Sequence, residues 1–201
     1  LQGEGWERGW NQILAICGNA AAITERSFGV PDGVSNGQYG IGLVIDFFGL
    51  AAKNSGFPVE FVYPALTSIV PANIALVNGA KNADGGRRFI QFSLSPEGQE
   101  LLLRKEISRL PVLAETYKKA PPGYPNPYSG SVKAKVNFDS DLADRRYYLV
   151  SSLFDQMCTF RHKELSAATK AIHDAAAKVG DKGTPQAQKL LAEARAAAFT
   201  S

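Results

Sequence analysis

The chain has 201 residues, 45% of them hydrophobic and 20% charged, with a net charge of +3. That length and composition allow a buried core and exclude disorder as the default state. The mild charge, with no dense Lys/Arg run, sets nucleic acid aside as a partner. No apolar run approaches the roughly 20 residues needed to cross a bilayer.

The first element predicted is a helix, because Trp6, Trp10, Ile13, Leu14 and Cys17 recur on one face and Gly18 stops the pattern. The small apolar run at 20–24 reads as a buried strand, and Ser27 stands just before a short helix containing Pro31. Residues 39–45 read as a second strand, 47–55 as a helix ended by Gly56, and 59–63 as a third strand. That alternation predicts an α/β unit, a sheet covered by helices.

Pro-Ala-Leu-Thr-Ser at 64–68 interrupts the pattern, and a fourth strand is expected at 69–77. Asn82 is placed to cap a helix through Phe89, Ile90 and Leu94. Ser95-Pro96-Glu97 is a strong helix start, with a cap, a proline at the first helical position and an acid in the first turn. The proline-rich run at 111–131 reads as an extended connection, and the remainder as helical, with Thr184-Pro185 opening the last helix. Cys17 and Cys158, the only cysteines, each fall in an apolar helical pattern and are expected as two buried thiols rather than a disulfide. The N-terminal residues show no charged-then-apolar pattern and the first is Leu rather than Met, so the chain is expected to be cut or processed.

Several runs, taken in order, carry a resemblance: Gly-Asn-Ala-Ala-Ala-Ile-Thr-Glu-Arg-Ser, Asn-Gly-Gln-Tyr-Gly-Ile-Gly, Phe-Val-Tyr-Pro-Ala, and above all the stretch from Val77 to Leu102. Together they resemble the second half of periplasmic solute-binding proteins of ABC importers, in the ferric-ion-binding group. The resemblance covers residues 5–112. It implies a type II periplasmic-binding-protein-like α/β fold, with a lobe-two unit at 1–63, a return to lobe one at 64–110, the connection at 111–131 and a C-terminal helical extension at 132–201. It also implies a periplasmic receptor that delivers a small anion or organic solute, with ferric iron a further candidate, to importer membrane subunits. An N-terminal half would come before the point where this chain begins, and a fragment of that kind would expose an apolar face and self-associate or swap domains.

Six residues are candidates for ligand binding: Arg26, Ser27, Asp46, Phe47, Tyr63 and Thr67. Ser27 and Arg26 sit at a strand-to-helix turn that the resemblance uses to grip an anion, while the local reading makes Ser27 an ordinary helix cap and Arg26 a solvated side chain. Asp46-Phe47-Phe48 ends an apolar run where ligands of open α/β sheets bind. The resemblance places paired iron-binding tyrosines at Phe47 and Phe48, and phenylalanine offers no oxygen to a hard trivalent ion. Aromatic faces with an acid suit an organic solute better; the alternative is two core phenylalanines and an Asp46 that caps the next helix. Tyr63 and Thr67 flank the expected crossing, where turn chemistry is the competing role. Tyr147-Tyr148 diverge on a helix and are expected to pack, not to share an ion.

Catalysis has no visible constellation. His162 and His173 lack a metal motif, and no phosphate-binding glycine loop or nucleophile elbow is present, so neither an enzyme nor a bound cofactor is expected. The competing function classes are the ligand-sensing domain of a regulator and a non-enzymatic fragment that associates with itself.

Overall fold

The fold was analysed in a computed structural model that describes residues 5–64, 67–130, 132, 136–180 and 183–199. Among the described residues the chain is helical, with no strand, and Thr67 alone makes an isolated bridge. The chain divides into two compact units, one of residues 24–135 and one of 1–23 with 136–201.

The second of these is a helical assembly. Helix α1 (Trp6–Asn19) buries Trp10, Leu14 and Cys17 on the face its apolar spacing predicts. Glycine closes the contact that matters most: a Cβ on buried Gly18 would stand 2.2 Å from Thr169 Oγ1 of the long helix Val179 ends, so the two helices approach where only hydrogen fits. Toward the C-terminus the order is a helix over Ser140–Phe154, a π-helical turn over Asp155–Thr159, a helix over His162–Val179 and a last one over Pro185–Ala198. Leu14, Cys17 and Cys158 form the core, enclosed by half-buried Ile13, Ile23, Phe154, Met157, Leu165 and Phe199. Thr184 caps the last helix by accepting from the Ala187 N–H at 3.2 Å, with Pro185 at its first position, as the sequence predicts.

The unit of residues 24–135 holds α2 (Gly29–Ser35), α3 (Asp46–Asn54), α4 (Ala83–Ser93), α5 (Pro96–Leu101) and a 3-10 helix over Ala114–Lys119. Asn82 and Ser95 cap α4 and α5 by accepting from Gly85 and Gly98. Buried Gln99 fixes the chain that follows. Its amide donates to the Ser93 carbonyl and accepts from the Val112 N–H, each at 2.7 Å. Ser108, fully buried, accepts from Asn54 and donates to the Lys105 carbonyl, each at 2.8 Å.

The proline-rich segment is irregular apart from the 3-10 helix, and its tyrosines explain how it holds its shape. Tyr117, Tyr124 and Tyr128 donate their hydroxyls to the carbonyls of Pro111, Arg109 and Val112. Phenols thus satisfy backbone acceptors that a neighbouring strand would otherwise pair.

The α/β expectation is overturned. The four apolar runs expected as strands, at 20–24, 39–45, 59–63 and 69–77, form no ladder among the described residues. Without a ladder no sheet buries them: Ile41 is 87% exposed, Val62 77% and Val77 75%. The type II periplasmic-binding fold therefore does not describe these residues. The crossing expected at 64–68 falls partly on residues 65 and 66, which lie outside the described residues. The tyrosine pair Tyr147-Tyr148 is exposed, each ring meeting the other edge-on at 5.4 Å rather than packing into the helices as expected.

Candidate functional site

Two neighbouring parts of the unit of residues 24–135 collect the candidate residues. The first is an open cleft of about 430 Å³ lined by Thr24, Glu25, Arg26, Ser27, Val30 and the run 43–45. Its turn is built locally, because the Arg26 carbonyl accepts both the Thr24 hydroxyl and the Gly29 N–H at 3.0 Å. The helix that follows begins later than the sequence suggests. Phe28, not Ser27, occupies the cap position of α2, and no side chain caps it. Ser27 is exposed, and its hydroxyl has no partner among the described residues. The Arg26 guanidinium lies 6.0 Å from the Phe28 ring, a favourable cation–π placement that leaves its N–H groups toward solvent.

The second part centres on Asp46, the first residue of α3. One carboxylate oxygen accepts the Phe47 N–H at 2.8 Å and the other accepts the Tyr63 hydroxyl at 3.0 Å; the cap position itself is Ile45 and has no side-chain cap, so Asp46 bonds the first turn of its helix from inside it and also holds Tyr63. Phe47 lies beneath the Arg109 guanidinium, 3.6 Å from its ring centroid, and stacks at 4.4 Å on Phe48. Phe61 meets Tyr63 edge-on and crowds Gly49, where a Cβ would stand 2.3 Å from its ring. Thr67 is half-buried.

Electrostatics set the protonation of the aromatic groups. Burial, then the charge and hydrogen bond of Asp46, push the Tyr63 phenol far above the usual tyrosine range. Burial, then Asp46, push Tyr124 up to about 12. Tyr117 is raised by burial and by Tyr128 and Tyr124. These phenols serve as hydrogen-bond donors, Tyr63 to Asp46 and Tyr117 and Tyr124 to backbone carbonyls. Substituting Tyr63→Phe should therefore leave one Asp46 oxygen without its donor and lower stability by about 1–2 kcal/mol, measured by urea unfolding.

Arg109, Tyr117 and Tyr124 belong to this cluster and were not singled out in the sequence. Tyrosines spaced between prolines in the 111–131 run were the available signal, because their hydroxyls can reach backbone carbonyls that no ladder pairs. The histidines stay apart. His162 Nε2 donates to the Ala20 carbonyl at 2.9 Å, and no group of three or more metal-binding side chains gathers among the described residues.

No family profile matches this chain, and no solved structure matches it significantly. Two curated proteins do. Each is named phosphoglycerate transport regulatory protein PgtC, one from Salmonella typhimurium strain LT2 and one from Salmonella typhi. Each is 32% identical over 194 residues, which is 95% of this chain and 47% of the relative. The chain thus spans about half the length of the curated relatives it matches. These findings correct the reading as a ferric-type periplasmic solute-binding receptor of an ABC importer: the relatives are named for regulation of transport, and the described residues form helices without the sheets of that fold. The alternative of a regulator fits the findings better.

Proposed function

We propose that this chain is part of a regulator of solute transport, and that its unit of residues 24–135 senses a small phosphorylated acid. One observation carries the reading, the 32% identity across 95% of the chain to proteins named for regulation of phosphoglycerate transport. The cleft at the 24–27 turn supports it chemically. Arg26 offers paired N–H donors in the planar geometry that suits a phosphate, and the Ser27 hydroxyl adds a third. Glu25 on the same wall repels a second anionic group beside it and so favours one orientation of an acid with charge at both ends. Val30 and the run 43–45 supply the apolar wall.

The function is binding and signalling, with no catalytic step, and the partner is a component of the transport system under control. Calorimetric titration with phosphoglycerate tests it. Arg26→Ala removes a charged donor from the phosphate, so affinity should fall ten- to hundredfold, a loss of about 1.5–3 kcal/mol. Because Arg26 is exposed, the unfolding midpoint should hardly move. Equal affinities for the wild type and Arg26→Ala, or no saturable heat with either, would refute the reading.

A further inference from the structure

Cys17 and Cys158, both free thiols, are far apart in sequence and meet in one buried core cluster of a single unit. We infer that these two residues are a disulfide-forming site, which a hydroperoxide closes into a covalent link between helix α1 and the π-helical turn Asp155–Thr159.

The local structure favours the pairing. Neither the π-helical turn nor the helix over Ser140–Phe154 that precedes it buries any other residue, so the turn serves to bring the Cys158 sulfur inward against α1. Such turns, with one residue more than the α-helical repeat, recur at functional sites. A thiol held against a second thiol has its reaction partner in place before any oxidant arrives.

Access decides the order of events. Cys17 is 6% exposed and Cys158 is fully buried, so a water-sized oxidant reaches Cys17 first. Burial holds the Cys17 thiol above its ordinary range, so it must give up its proton as its sulfur attacks one oxygen of hydrogen peroxide; the O–O bond breaks, the departing oxygen takes up a proton and leaves as water, and Cys17 becomes a sulfenic acid. Cys158 then attacks the Cys17 sulfur. The S–O bond breaks, the S–S bond forms, and a second water leaves with the Cys158 proton. Two thiols lose two electrons, and one peroxide is reduced to two waters.

The test uses the folded chain and a small molar excess of hydrogen peroxide, followed by intact mass and free-thiol measurement. Both thiols should disappear together, the mass should fall by two hydrogen atoms, and digestion should release one cross-linked peptide pair containing Cys17 and Cys158. Because the link closes a loop of most of the chain, the thermal midpoint should rise by roughly 5–15 °C and return on adding a dithiol reductant. In Cys158→Ala the sulfenic acid at Cys17 should persist and be trapped by a cyclic diketone. The wild-type arm stands even if that variant folds poorly. Thiols that survive the treatment, oxygen gained on each sulfur separately, or a link between two chains in place of the internal one would each overturn the proposal.

Discussion

Replacing Trp10 with alanine is expected to cost about 3–5 kcal/mol, enough to unfold most of the helical unit built on α1 at ambient temperature. Trp10 is 1% exposed, on the face of α1 that also carries Leu14 and Cys17, and Trp6 meets it edge-on at 5.9 Å. Truncation removes the whole buried indole and leaves a cavity in its place. Trp10→Phe separates the causes. The indole N–H is buried with no hydrogen-bond partner among the described residues, so the phenyl ring loses volume but relieves an unpaired donor. It should cost about 1–2 kcal/mol. Urea unfolding followed by helical circular dichroism checks both, and equal losses for the two variants would show that indole volume is not what α1 supplies.

The second large effect is expected at Gly98→Ala, about 2–3 kcal/mol of destabilisation, although alanine is the better helix former by about 1 kcal/mol. A Cβ at this position would lie 2.0 Å from the Phe92 carbonyl oxygen, 2.9 Å from its carbon and 3.1 Å from the Ser93 Cα. All three are backbone atoms of the α4 end, so no rotamer relieves the contact. The Gly98 N–H also donates to Ser95 at 3.2 Å, and any shift weakens the cap of α5. Gly86→Ala is the control, since there the obstructing atom is the tip of the Leu76 side chain, which rotates aside. That variant should change stability by less than about 1 kcal/mol, and a loss as large as at Gly98 would contradict the argument.

Helices and their caps were legible because their signals are local. The apolar spacing of Trp6 to Cys17, Asn82, Ser95-Pro96 and Thr184-Pro185 all marked elements that formed. Strands need a second segment to pair with, and composition says only that a run is apolar. Residues 39–45 and 69–77 have the composition of buried strands, yet no ladder receives them among the described residues. The resemblance to solute-binding receptors implied a sheet for those runs, and the described residues form none.

The site was legible in part for the same reason. Asp46 was recognised as either a cap or a ligand group, and it does bond its own helix N–H. Ser27 was read as a cap one residue too early, because a preference for Ser at caps cannot say whether Ser27 or Phe28 starts the turn. Arg109 stayed hidden, since only the fold of the proline-rich run brings it over Phe47.

The most direct test of the account follows backbone amide resonances while phosphoglycerate is added to the isotopically labelled protein. Saturable shifts should concentrate at residues 24–27 and 43–45, the walls of the cleft, and in Arg26→Ala should need ten- to hundredfold more ligand to saturate. Shifts centred instead on Asp46, Arg109 and the tyrosines of the proline-rich run, or none anywhere, would contradict the placement of the ligand at Arg26 and Ser27.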